Sequence, residues 1–182
     1  MKKIILSLVI MFTLALTANA QFYAGASVGA HVQKGEYSLA FSPEVGYSFQ
    51  GNTGVGCLFD FGFAKDNTFD VGEFTFGVNP YFEYRLLEID KFTFYLHTYL
   101  HYNMTTLTGA PVDVKPEQNY GVSLHPGVIW GVTDHWSVAF YLGGLEYMYN
   151  QPSGVAFKDG AGEFNLGLAT YMPAGLALYY GF

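Results

Sequence analysis

Apolar and polar residues alternate with period two along most of the chain. From Glu73 to Leu86 the even positions are Phe74, Phe76, Val78, Pro80, Phe82, Tyr84 and Leu86, and the odd positions are Glu73, Thr75, Gly77, Asn79, Tyr81, Glu83 and Arg85. A strand whose successive side chains point to opposite faces presents one of these sets to an apolar medium and the other to a polar one. The next stretch repeats the arrangement. Phe92, Phe94, Leu96, Leu100, Tyr102 and Met104 share a face with one polar intruder, Thr98, while Lys91, Thr93, Tyr95, His97, Tyr99, His101 and Asn103 take the other. The same pattern predicts strands over Leu39–Phe49, Gly54–Phe63, Tyr120–Trp130 and Trp136–Gly143. A weaker one, with an alanine-rich apolar set, covers Phe22–Val32. The last runs from about Glu163 to Phe182, where Leu176, Leu178, Tyr180 and Phe182 share the outer face and Pro173 and Gly175 predict a bulge. Eight strands result.

The connections alternate in length. Gln50-Gly51-Asn52, Glu88-Ile89-Asp90 and Thr133-Asp134-His135 form tight turns, whereas residues 105–117 and 150–161 form long connections. Short turns on one side and long loops on the other are the asymmetry of membrane barrels, with the long loops outside the cell and both termini in the periplasm. A soluble sandwich or lipocalin-like barrel also alternates, but it turns its apolar face inward and covers the outside with charge. Here the polar face carries nearly all the strand charges. The expected fold is therefore all-β: an eight-stranded antiparallel up-and-down transmembrane β-barrel.

Composition supports that choice. Aromatics make up 19% of the chain, charged residues only 13%, and there are 22 glycines. No stretch after the first twenty residues has the ~20 consecutive apolar residues a spanning helix needs. An apolar wall without a spanning helix crosses lipid as a closed barrel, because the bilayer core offers no water to unpaired backbone groups. The first twenty residues form a different segment. Lys2 and Lys3 precede the apolar run Ile4–Leu16, and Ala18-Asn19-Ala20 supplies small residues for cleavage. This layout predicts a cleaved signal peptide over 1–20 and one barrel domain over 21–182. Cleavage removes Lys2 and Lys3, which leaves six basic residues against 15 acidic ones and a net charge of −9. So acidic a domain disfavours nucleic acid as a partner. Cys57 is the sole cysteine and excludes a disulfide framework. It falls on the lipid-facing set.

Three strands running toward the short turns share a proline-led phrase: Pro43-Glu44-Val45-Gly46-Tyr47, Pro80-Tyr81-Phe82-Glu83-Tyr84 and Pro126-Gly127-Val128-Ile129-Trp130. Proline cannot donate a ladder hydrogen bond, so each is expected at a bulge or a locally opened pair. Together with the Ala-Asn-Ala-Gln leader end, the Thr133-Asp134-His135-Trp136 turn and the terminal Leu178-Tyr179-Tyr180-Gly181-Phe182, these phrases make the chain resemble the small outer-membrane β-barrel family of Gram-negative bacteria (porin-like, OmpA/OmpX-type) over its whole mature length. The resemblance implies an outer-membrane location. It also implies that Leu178, Tyr180 and Phe182 form the signal read by the barrel-assembly machinery, after passage with periplasmic chaperones. The Met172-Pro173-Ala174-Gly175 stretch departs from the family's unbroken last strand.

The inward set of eight strands is just enough to be filled by side chains. Glu44, Asp60, Glu73, Glu83, Arg85, Lys91, His97, His101 and His125 fall on it, with Tyr81, Tyr95, Tyr99 and Tyr141. Charges withdrawn from water persist only when paired, so these residues are expected to form a polar network that plugs the lumen. His97 and His101 lie four residues apart on one strand, about 13 Å at ~3.3 Å per residue, too far to share an ion. No metal site or cofactor is expected, and the histidines are expected to be held by tyrosines and carboxylates. Ser123, His125 and Ser137 offer hydroxyls beside a histidine without a nucleophile motif, so no catalytic residue is assigned. Trp130 and Trp136 flank one short turn, where an interfacial aromatic belt belongs. The expected function is non-enzymatic: an integral outer-membrane barrel in contact with lipid, with an envelope-structural or surface-interaction role through its extracellular loops. A narrow porin-like channel for ions or small solutes is the alternative, and an outer-membrane lipid-modifying enzyme a second one. Neither composition nor motif identifies a surface partner.

Overall fold

Alternating sequence becomes wall strand throughout a computed structural model of the protein, whose described residues are 21–33, 36–49, 51–66, 71–109, 115–151, 160–167 and 176–181. The elements are β1 (Gln21–Gln33), β2 (Glu36–Ser48), β3 (Thr53–Asp66), β4 (Val71–Ile89), β5 (Phe92–Thr108), β6 (Glu117–Gly131), β7 (Trp136–Tyr141), β8 (Gly144–Gln151), β9 (Ala161–Gly167) and β10 (Leu176–Gly181). Each of β1 to β6 pairs antiparallel with the next. β7 and β8 both pair with β6 and together form the seventh wall strand. β9 pairs with β8 and β10 with β7, giving the eighth, and β10 closes the circuit on β1 through Tyr23↔Gly181 to Ser27↔Ala177. The result is a closed eight-stranded antiparallel barrel.

Its exterior is apolar and its interior polar. Leu39, Phe41, Val45, Phe61, Phe63, Phe74, Phe82, Phe94, Phe140 and Leu178 are exposed, and Leu100 reaches 61% exposure. Buried instead are Glu44, Asn79, Glu83, His97, Ser123 and His125. This inverts the soluble-protein distribution and is stable only where hydrocarbon surrounds the wall. Along β5 the outward apolar run from Phe92 to Met104 covers twelve residue steps before Thr106 and Thr108. At ~3.3 Å per step and a tilt of about 40°, that makes a band roughly 30 Å tall, close to a bilayer's hydrocarbon core.

The three prolines sit where the ladder opens, each on one side only. Pro43 keeps its place opposite Ala26 of β1, while the β2–β3 pairing is interrupted between Phe41↔Phe61 and Glu44↔Leu58. Pro80 stays opposite Cys57, and the β4–β5 ladder lapses between Val78↔Tyr102 and Tyr81↔Tyr99. Pro126 pairs with Leu96 and faces the break between β7 and β8. There the register slips by one residue, from Gly127↔Tyr141 to Leu124↔Leu145, with Gly143 at φ 97 and the Leu142 amide donating to the Pro126 carbonyl at 3.0 Å. The slip is a bulge in the seventh strand.

A second bulge changes one expected turn. The β4–β5 register shifts between Arg85 and Leu87, so Leu86 is the extra residue and Leu87 and Ile89 join the outward set. The turn is consequently Asp90-Lys91, with Asp90 at φ 54, rather than Glu88-Ile89-Asp90. The other two tight turns stand where the sequence places them. Phe49 donates to Thr53 at 2.9 Å across one, and the Thr133 hydroxyl accepts the Trp136 amide at 2.9 Å in the other. The expected leader (1–20), the expected bulge at Pro173 and Gly175, and Phe182 lie outside the described residues.

Candidate functional site

Three strands bring the charged groups of the central layer together. Glu83 on β4 lies opposite His97 on β5, and the two meet through Glu83 Oε2 and His97 Nε2 at 2.9 Å. Arg85, two residues along β4, donates from Nε to Glu83 Oε1 at 2.9 Å and from Nη2 to the Ser48 hydroxyl on β2. His97 Nδ1 meets the Tyr99 hydroxyl at 2.9 Å. The Glu83 carboxylate thus has both oxygens occupied by positive or polarised N–H groups, the condition under which a charge tolerates withdrawal from water.

Barrel closure completes this layer. Glu44 on β2 accepts the Tyr179 hydroxyl from β10 at 2.8 Å, across a separation of 135 residues. Since that proton is committed to the carboxylate, Tyr141 must donate to Tyr179, at 2.9 Å. Tyr23 and Tyr81 pair their hydroxyls at 2.5 Å. Tyr81 stacks on His97 with centroids 4.4 Å apart, and Tyr95 packs against the same imidazole at 4.3 Å. At this level Tyr95 is 0% exposed and Glu83 and His97 1%.

The rings are seated on glycines. Tyr23 lies opposite Gly46, Tyr81 opposite Gly56, Tyr95 opposite Gly127 and Tyr179 opposite Gly25, each pair being cross-strand partners. A β-carbon at any of the four glycines would overlap the facing ring. The absent side chain gives the ring a place to lie flat against the wall and reach the axis, the glycine rescue seen where aromatics cover strand glycines. Gly127→Val is therefore expected to destabilise the barrel by about 1–3 kcal/mol through overpacking. Valine at Gly62, whose neighbour is only the Thr75 side chain, should cost less. Urea unfolding of the refolded barrel in lipid measures both.

A second layer lies toward the long connections. Asp60 accepts the Asn79 amide nitrogen at 2.5 Å, which directs Asn79 Oδ1 to His101 Nδ1 at 2.9 Å. His101 must then carry its proton on Nδ1, leaving Nε2 to accept the Ser123 hydroxyl at 2.6 Å. Ser123, His101, Asn79 and Asp60 form one directed chain. Its serine is 2% exposed, and the neighbouring wall strands have their backbone N–H groups in ladder pairs.

Not every expected lumen residue takes part. Glu73 is exposed near the long-connection end, opposite Ala64 and Leu107, and Lys91 is exposed in the β4–β5 turn. Both are corrected from interior to rim positions. Glu73 lies beyond the packed layers, and Lys91 moves into the turn because the Leu86 bulge shifts the residues beyond it. Nor are all three histidines held by tyrosines and carboxylates: His97 is, but His101 is held by Asn79 and Ser123 and His125 by the Gly143 carbonyl at 3.1 Å. Ser123 bonds His101 rather than His125. Among the described residues no group of three or more His, Cys, Asp or Glu is placed to hold a metal ion. Ser48, Asn79, Tyr23, Tyr179 and Glu146 belong to the interior without having been singled out by sequence. The cross-strand register identifies the first four, and the Gly143 bulge sets the face of Glu146.

Below the central layer, at the short-turn end, a cavity of about 270 Å³ is lined by Ser48, Glu83, Arg85, Glu88, Asp134 and Ser137, among others. Outside this mouth sit the expected belt residues. Trp130 stacks with Phe92 at 6.4 Å, and Trp136 meets Tyr180 edge-on at 5.0 Å. Leu178 faces outward beside them.

No family model matches the chain, and no curated protein sequence matches it. Solved structures do. The N-terminal β-barrel domain of Pseudomonas aeruginosa OprF is 11% identical, with 91% of this chain and 98% of that one covered and a TM-score of 0.50. A major outer membrane protein from Thermus thermophilus is 13% identical, with 90% and 100% covered and a TM-score of 0.49. Neisserial surface protein A is 16% identical, with 90% and 96% covered and a TM-score of 0.44. At these identities the likeness is one of fold alone, that of a small β-barrel.

Proposed function

We propose that the protein is an integral outer-membrane barrel of a Gram-negative envelope, non-enzymatic, with its lumen closed by a polar plug. Its role in this reading is structural, or one of surface contact through the connections at 105–117 and 150–161. The likeness to the OprF barrel domain supports the barrel fold, and the apolar outward band supports a place in outer-membrane lipid. Residues 1–20 serve as the cleaved export signal. Leu178, Tyr180 and Phe182 serve as the signal for the assembly machinery, reached with periplasmic chaperones.

The observation that carries the plug is the burial of Glu83, Tyr95 and His97 in the central layer and of Asn79 in the layer next to it, none above 1% exposed and all but Tyr95 hydrogen-bonded through their side chains. A narrow channel for ions or small solutes is the second reading. It draws on the polar cavity that opens the short-turn mouth as far as Arg85 and Glu83. Planar-bilayer recording separates the two. The purified wild-type barrel is expected to give no discrete conductance steps. Regular steps from pure protein, altered by substitution at Glu83 or Arg85, would establish the channel instead.

A further inference from the structure

At the short-turn mouth, opposite charges line one space without meeting. The cavity of about 270 Å³ beneath the central layer has Arg85 and Glu83 at its inner end and Glu88 and Asp134 toward the turns. Arg85 is the only arginine of the chain. Its Nε and Nη2 donate to Glu83 and Ser48, which leaves Nη1 without an acceptor among the described residues. Its side chain is 22% exposed on this side. Glu88 and Asp134 are exposed at the rim, and neither has an ion pair or hydrogen bond among the described residues.

The Leu86 bulge produces this arrangement. In an unbroken strand residue 88 would share the outward face of Tyr84. The extra residue turns Glu88 inward, so Arg85 and Glu88 lie opposite Tyr95 and Thr93, which are two apart on β5. Two such positions are separated by about 7 Å at ~3.3 Å per residue. Bulges re-aim single side chains in this way beside functional sites. Arg85 is drawn inward, away from Glu88, by Glu83 and Ser48. A lone cation in the cavity would face the Arg85 guanidinium, and a lone anion would face the carboxylates of Glu83, Glu88 and Asp134. A ligand with both signs a few ångströms apart meets each end with a charge-assisted hydrogen bond and adds no net charge.

We infer that the short-turn cavity binds a small zwitterion of the α-amino acid class, its carboxylate on Arg85 and its ammonium on Glu88 and Asp134. Thr93 and Ser137 line the same space with hydroxyls, and Ile129 borders it as an apolar wall for a small side chain. Ligands of this class enter past the short turns. The site lies wholly on that side of the central layer, so it does not depend on whether the lumen conducts.

The sole arginine makes the test direct. A refolded barrel with isotope-labelled arginine gives a single guanidinium Nε resonance, that of Arg85. It is titrated with glycine and, at matched ionic strength, with sodium acetate and methylammonium chloride, whose organic ions carry one charge each. Glycine is expected to shift the resonance saturably in the millimolar range or below, and the other two to bind at least about tenfold more weakly. Glu88→Gln should weaken the glycine response about tenfold or more, whereas Glu73→Gln at the opposite rim should not change it. Acetate or methylammonium matching glycine, no saturable glycine shift, or an unchanged glycine response in Glu88→Gln would overturn the proposal. The three-ligand comparison on wild-type protein decides the matter even if the Glu88 variant fails to fold.

Discussion

Glu83→Ala is expected to cost the barrel about 3–5 kcal/mol, the usual penalty for removing one member of a buried ion-paired group. Glu83 occupies both Arg85 Nε and His97 Nε2, and each loses its acceptor at once. His97, at 1% exposure, meets the short-turn cavity only at a buried edge and gains replacement water less readily. Arg85 is different, because its side chain is 22% exposed toward the short-turn cavity and can recruit water there. The loss should therefore lie toward the lower end of the range and fall mainly on His97. Glu83→Gln keeps an acceptor for one partner and should cost less. A triple variant that replaces Glu83, Arg85 and His97 by apolar residues of similar volume should recover much of the loss, as buried ionic groups exchanged for packing often do. Equilibrium unfolding in lipid vesicles, followed by gel mobility, measures all three. A Glu83→Ala barrel as stable as wild type would show that the central layer is wet.

Leu100→Arg is expected to destabilise the membrane-inserted barrel by about 2–4 kcal/mol, the cost of an arginine near the bilayer midplane on the lipid face. Leu100 is 61% exposed and lies near the middle of the outward run from Phe92 to Met104. In water such an exposed leucine could be exchanged for arginine within about 0.5 kcal/mol. Thr106→Arg, beyond the apolar run on the same strand, should cost only about 0–1 kcal/mol. The difference between these two positions measures the depth of the wall in hydrocarbon.

The wall was legible in the sequence because its signal is local. Alternation from Glu73 to Arg85 and from Phe92 to Met104 needs no knowledge of neighbours, and the structure keeps those faces. Bulges were less legible, since an extra residue is defined by the partner strand that lacks its match. The Leu86 bulge moved a turn by one residue and carried Lys91 out of the interior. The Gly143 bulge reset the inward face of the seventh strand and brought Glu146 into the lumen.

The interior was legible in composition but not in pairing. Glu44, Glu83, Arg85 and His97 were recognisable as inward, and the Glu83–His97 contact follows from the register once the β4–β5 ladder is set. The Glu44–Tyr179 bond joins the second wall strand to the last and exists only because β10 closes on β1. Tyrosine seats on Gly25, Gly46, Gly56 and Gly127 likewise depend on which strand lies opposite. Single-strand periodicity marks those glycines as inward but not as seats.

The wall faces lipid, and fractionation with detergent extraction tests that assignment most directly. The expressed chain should sediment with outer membrane, resist extraction by carbonate and urea, and enter solution only with detergent. It should then migrate on a gel at different positions before and after boiling. Recovery of the folded chain in the soluble fraction, without detergent, would contradict the barrel's assignment to the membrane.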